Sequence, residues 1–212
     1  MKNVNGLIAF WSDIEHSYTD QYRLWHNSEH IPERISIPGF VTGQRYESVN
    51  GGRRFFMFYE TSSPSVLTSE PYLKALNNPT PWTLEALKHF KNPLRNLYTK
   101  LVDVDKEQPT QCLVATRFSC SQPENLKQLQ AHFTAVNRFR LFELDKNGTA
   151  VKTQERAIYG EQPDTQSYLI LMDVDTFDTL ILHTLEEQLK TLESYDVDIA
   201  LYSLEFKLSA HY

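Results

Sequence analysis

Residues 54–61 read RFFMFYET, and the fold follows from that strand. Side chains alternate along a strand, so Phe56 and Phe58 share one face while Phe55, Met57 and Tyr59 share the other. Both faces are apolar, which demands cover on both sides: two sheets face to face, or one sheet curled into a barrel with helices outside. Which set points inward is not decided by alternation. Glu60 ends the strand, either as a buried partner for a histidine or arginine or as the first solvated residue.

Working outward, residues 40–49 read as the preceding strand, with Asn50-Gly51-Gly52 as the hairpin turn. Residues 5–12, NGLIAFWS, form an apolar strand running into Asp13. Residues 14–31 contain no Gly or Pro and read as a helix ending near Pro32. A second helix starts at Ser63 or Ser65 and runs through Leu76, residues 83–90 form a short helix, and residues 94–104 return as a strand. The second half repeats this order. Residues 111–120 are a strand, 123–133 a helix, 138–145 a strand, Asn147-Gly148 a turn, and 152–159 an additional hairpin strand. YLILMDV at 168–174 matches RFFMFYET, 177–192 is an acidic helix, and 199–208 is the last strand. The expected architecture is therefore α+β: two fused ferredoxin-like βαββαβ halves, 1–106 and 107–212, forming an α/β barrel. The first half is expected to carry the site and the second to complement it structurally.

Charge narrows the partners. Residues 1–106 hold 12 Lys/Arg against 11 Asp/Glu and residues 107–212 hold 9 against 16, so neither half supplies the basic stripe a nucleic acid requires. No membrane-length apolar segment, basic amphipathic stretch or leader pattern is present, and the expectation is a cytoplasmic protein without a membrane partner. Cys112 and Cys120 would lie about 26 Å apart along one extended strand, so they are expected to be free thiols.

Chemistry concentrates in residues 25–40, WHNSEHIPERISIPGF. At 100° per residue Tyr18, Tyr22, Trp25, His26 and Glu29 share an arc with His30 at its edge, while Leu24 and Ile31 lie opposite. An aromatic and ionisable face suits a pocket wall; the bland reading is two helix-terminal histidines and a packing tryptophan. His26, Glu29 and His30 spell H-x-x-E-H, but no third ligand is in view and no metal is expected. Acid–base use fits better: His26 or His30 as base or acid, Glu29 or Asp13 orienting the imidazole, and Arg45 or Arg34 holding an anion. Tyr22, Tyr46, Tyr59 and Trp25 would line the pocket, and Trp82, on the proline-rich loop ending residues 69–82, would cover it or make an inter-subunit contact. Arg95, Arg138 and Arg140 read as solvated strand positions.

The element order, the W-H-N-x-E-H-I-P-E-R segment at 25–34, I-P-G-F at 37–40 and Arg45-Tyr46 resemble the dimeric α/β-barrel superfamily. That grouping includes EthD-like proteins, muconolactone-isomerase-like proteins, small quinone-forming monooxygenases and polyketide cyclases. EthD-like members carry a tryptophan or tyrosine followed by a histidine late in the first helix, to which Trp25 with His26 or His30 is similar. The resemblance implies the fold over the whole chain but extends only over residues 25–46 as a motif, and this fold hosts unrelated chemistries. The expected activity is that of an isomerase, lyase or cofactor-independent monooxygenase on a small, partly apolar organic acid, lactone or aromatic. No cofactor is called for. The alternative is a non-catalytic ligand-binding or stress-associated protein, and a further homodimer is open in either case.

Overall fold

The computed structural model describes residues 4–160 and 165–210. Its strands are β1 (Gly6–Ile14), β2 (Phe40–Ser48), β3 (Phe55–Thr61), β4 (Phe90–Asp105), β5 (Cys112–Cys120), β6 (Arg138–Leu144), β7 (Tyr168–Val174) and β8 (Ser194–Ser209). They close into an antiparallel barrel in the order β1-β3-β2-β8-β5-β7-β6-β4. Each half contributes four neighbouring strands, and the seams are β2 against β8 and β4 against β6. The expected pair of βαββαβ halves is thus what the chain forms.

Every position of β3 is buried, as a strand apolar on both faces requires. Phe56 and Phe58 face the barrel interior, packed with Trp11, Tyr46 and Tyr202, while Phe55, Met57 and Tyr59 face the helices outside. Trp11 stacks on Phe56 at 4.6 Å and Tyr46 on Phe58 at 5.7 Å. Such aromatic pairs add roughly 0.5–1.5 kcal/mol each beyond the area they bury. Toward one end the interior turns ionic: Glu60 is buried 3.1 Å from both Arg138 and Arg140, and Arg140 also reaches Asp173 at 2.6 Å. Arg140 is therefore not a solvated position, and Glu60 is the buried partner of arginines. Aromatic side chains fill the middle of the barrel, and the histidine-bearing helix packs on the outer face of the sheet.

Three expected elements are corrected. The first helix does not stop at Pro32: α1 (Thr19–Trp25) passes through a π turn (His26–His30) into α2 (Ile31–Ser36). Proline normally ends a helix through its missing N–H and its clash with the carbonyl four residues earlier. The wide turn, closed by the Ile31 N–H donating to the His26 carbonyl, precedes the proline and carries the helix past it. It also displaces the helical wheel, so Ile31, expected opposite the active face, is fully buried with Arg34 and Ile35, whereas Leu24 is exposed.

Residues 152–159 are not an added strand either. β6 is already paired by β4 and β7, which leaves no free edge. After a single turn α5 (Lys146–Thr149), Thr153 caps the helix α6 (Gln154–Tyr159) by accepting from the Arg156 amide. α6 leaves its own half and docks near α3 (Glu70–Asn77) and α4 (Pro81–Leu87), where the Gln154 amide donates to Asn77 Oδ1 at 3.1 Å. α7 (Thr179–Thr191) covers the second half, together with a 3-10 segment, Pro123–His132, where a regular helix was expected.

Because both seams join the halves, severing the chain at Gln108 exposes four unpaired strand edges. Fragments 1–107 and 108–212 produced separately are expected to be insoluble; a soluble, cooperatively melting first fragment would contradict a shared barrel.

Candidate functional site

The π turn sets His26 over the outer face of β2 and β3. Gly43 makes room for this: a Cβ there would lie 2.8 Å from the Tyr59 ring and 3.1 Å from Ile31. His26 is buried, with Nδ1 3.1 Å from Arg45 Nη1 and Nε2 3.4 Å from Tyr59 Oη. A guanidinium can only donate, so Nδ1 accepts and the imidazole proton sits on Nε2, directed to the Tyr59 oxygen. Tyr59 then keeps its own O–H proton to donate elsewhere. Burial first, and then the Arg45 and Arg34 charges, hold the His26 pKa well below the ordinary 6.5, so the ring is neutral. Arg45 is held in turn: Nε donates to Glu205 at 2.7 Å, Nη1 donates to Asn27 at 2.8 Å, and its guanidinium lies over the Tyr22 ring.

One turn on, His30 and Arg34 stand four residues apart and line one cavity of about 40 Å³. Its floor is the outer face of the sheet, where Phe10 pairs opposite both Met57 and Arg95 and Ile8 opposite Tyr59. Trp25 packs on the His30 ring at 4.6 Å, with its indole N–H donating to Thr83 at 3.2 Å. Arg34 Nη2 donates to Glu155 of α6 at 2.5 Å, and Arg95 Nη2 donates to Tyr72 Oη at 3.4 Å. Two atoms here are buried without a hydrogen-bond partner, His30 Nδ1 and Arg34 Nη1. Glu33 is 3.6 Å from Arg34 Nη1, beyond hydrogen-bond reach.

Burial, with the Arg34 charge and then His26, also drives the His30 pKa well below 6.5, so at neutral pH His30 offers an uncharged ring. The cavity wall carries two guanidiniums, Arg34 and Arg95, against one carboxylate, Glu155. Burial raises the Glu155 pKa in spite of Arg34. Chemically this is an apolar chamber that places an imidazole nitrogen, a tyrosine hydroxyl and an excess of guanidinium around a space for a few water-sized groups.

Of the residues the sequence pointed to, Trp25, His30, Arg34 and Tyr59 line this cavity, and His26, Tyr22 and Arg45 form the layer beside it. The others are elsewhere. Tyr46 is inside the barrel, donating to Gln44 at 2.8 Å. Glu29 accepts from Thr80 and Thr83 at 2.5 and 3.2 Å, tying the π turn to α4. Asp13 accepts from the Arg54 amide and Asn92 at 2.8 and 2.9 Å at the far end of β1. Among the described residues neither acid hydrogen-bonds to an imidazole. Trp82 packs with the cluster around Tyr22 and Phe90 without lining the cavity. Arg95, read from sequence as solvated, is buried in the cavity wall, and Tyr72, Glu155 and Tyr159 were missed. The T-x-x-R cap at Thr153 was the available signal for α6; nothing local shows that it crosses to the first half.

No family model and no curated protein matches the chain. Solved structures do match over nearly its whole length. A protein of Fusobacterium nucleatum whose assignment as a monooxygenase is itself provisional superposes with a TM-score of 0.62 at 8% identity, covering 99% of this chain and 96% of the other. A single-residue variant of chlorite dismutase from Candidatus Nitrospira defluvii gives 0.56 at 11% identity, covering 97% and 92%. A haem-binding protein from Thermus thermophilus gives 0.55 at 7% identity, covering 96% and 92%. At such identities the comparison shows the fold: the chain shares the ferredoxin-like antiparallel barrel of these monooxygenase-like and chlorite-dismutase-like structures.

Proposed function

We propose that the chain is a small-molecule enzyme in which His30 exchanges a proton with a small organic acid whose anionic oxygens rest on Arg34. The observation that carries this is the pair of buried, unpartnered atoms, His30 Nδ1 and Arg34 Nη1, on residues lining one cavity. Buried polar atoms are almost always satisfied, so two orphans on residues of one cavity wall support the binding of a polar ligand beside them. His30, neutral at pH 7, removes a proton from carbon or oxygen, and the enolate or carboxylate charge that develops is met by Arg34 and by the Tyr59 hydroxyl. His26 acts through Tyr59, holding its oxygen as an acceptor so that the O–H proton is free for substrate. The reaction class is isomerisation, elimination or cofactor-independent oxygenation of a small, partly apolar acid, and the EthD-like reading of residues 25–34 belongs to this proposal.

Haem, which one similar structure is described as binding, does not fit. The cavity of about 40 Å³ is far below the roughly 300–1,000 Å³ of drug-sized ligand sites, and a macrocycle has no room there. No step is assigned to it.

Small acids from acetate to pyruvate and benzoate, screened by thermal shift, should include at least one that raises Tm. Its acidic C–H protons should exchange with D2O in the presence of the protein, as read by proton NMR. His30→Gln should abolish exchange with a change in Tm of no more than a few degrees, and Tyr59→Phe should slow it about 100-fold. Binding without exchange would favour the non-catalytic alternative; exchange unchanged in His30→Gln would refute the role given to that residue.

A further inference from the structure

A second cavity, of about 160 Å³, lies at the other end of the barrel, where the β2–β3 hairpin meets β8. Trp11 and Tyr202 line it and are almost completely buried. Trp11 is held by Phe56 stacked at 4.6 Å and by the Arg117 guanidinium over its ring at 4.9 Å. Its indole Nε1–H nevertheless has no hydrogen-bond partner among the described residues, and neither does the Tyr202 hydroxyl.

Arg53 completes the set. Its Nε donates to the Asn92 carbonyl at 2.7 Å, while its two terminal nitrogens have no partner among the described residues. Asn92 adopts a left-handed φ of 49°, and its side chain donates to Asp13 at 2.9 Å. Such a conformation costs free energy in a residue other than glycine. Here it presents a carbonyl that holds Arg53. The nearby carboxylates are occupied: Asp198 is ion-paired with Arg117, and Asp13 accepts from Asn92 and the Arg54 amide. Gly51 and Gly52, at φ of 94° and 79°, leave the rim open, since a Cβ on either would meet nothing within 4 Å.

We infer that this mouth of the barrel is a binding site for a small oxyanion, a carboxylate or phosphate group held by the Arg53 guanidinium, the Trp11 indole N–H and the Tyr202 hydroxyl. Three residues with donor groups line one cavity where Asp198, the carboxylate among the described lining residues, is already paired, and Asp13 serves as the positioning residue for Arg53 through Asn92. The site is separate from the helix-layer cavity and stands independently of the function proposed for it.

Inorganic phosphate and acetate, titrated separately at constant ionic strength, should each be followed by calorimetry and by tryptophan fluorescence. Saturable binding of at least one is expected, with a fluorescence change that disappears in Trp11→Phe. Arg53→Gln and Tyr202→Phe should each weaken binding about tenfold or more, and Arg53→Lys should recover part of the loss. His30→Gln should leave the Trp11-dependent fluorescence change as it is in the native chain, which separates this site from the other. Phosphate without acetate, or the reverse, would identify which oxyanion the site accepts. Absence of saturable binding by both probes, or binding indifferent to Arg53→Gln and Tyr202→Phe, would overturn the assignment.

Discussion

Glu155→Ala should lower the unfolding free energy by about 3–5 kcal/mol, the typical cost of removing one member of a buried ion pair. Arg34 and Glu155 are 2% and 5% exposed and meet at 2.5 Å, so truncation leaves a guanidinium in an apolar chamber with no buried carboxylate beside it. Arg34 cannot escape by losing its proton, since its pKa lies far above neutrality. Replacing both partners, Arg34→Met with Glu155→Leu, should restore stability to within about 1 kcal/mol of the native chain, because an apolar pair of similar volume avoids the desolvation cost. Urea unfolding of the two single variants and the double variant measures this. A loss below about 1 kcal/mol in Glu155→Ala would mean that α6 is not seated on the first half as described. The double variant also removes the proposed anion holder, so it should be stable yet unable to bind the acid.

Stability should fall as pH drops below 6.5. His26 and His30 both have pKa values well below the ordinary 6.5 because burial and neighbouring guanidiniums oppose their charging. Below pH 6.5 the unfolded chain takes up protons at these imidazoles while the folded chain does not, so the contribution is complete above that value and is lost as pH falls. Both imidazoles act in the same direction, so their contributions to the loss add. Glu155 and Asp173, raised by burial, bind protons more readily when folded and oppose the fall at the acidic end. Urea midpoints at pH 7 and pH 5 should differ markedly in the native chain and much less in a His26→Gln/His30→Gln variant. Equal pH dependence in the two would show that the imidazoles are not what charges on unfolding.

The fold was legible because it follows from short-range patterns. RFFMFYET and YLILMDV could only be strands covered on both faces, and Asn50-Gly51-Gly52 could only be a turn. The site was partly legible for a related reason: histidines and an arginine on one helix, beside aromatic residues, have little packing purpose. What stayed hidden is non-local. Whether Phe56 or Met57 faces inward depends on barrel closure, and Tyr46 was accordingly assigned to a pocket when it belongs to the barrel core. Arg95 reads as an ordinary strand cation until its strand is placed beneath Tyr72. Glu155 lies 121 residues from Arg34, and no periodicity connects them. Asp13, expected beside an imidazole, instead accepts from the Arg54 amide and Asn92, because the end of β1 faces the hairpin.

The π turn at His26–His30 has a consequence for how this segment compares with others. Such a turn is an α-helix holding one surplus residue, so a homologue with an unbroken helix here would be one residue shorter between the counterparts of Trp25 and Arg34. Aligning the two without a gap would assign the guanidinium's position to its solvent-facing neighbour. Removing Ser28 from this chain would make the same displacement physically, rotating the helix beyond the deletion by about a quarter turn and swinging Arg34 away from α6 while leaving every side chain's chemistry intact.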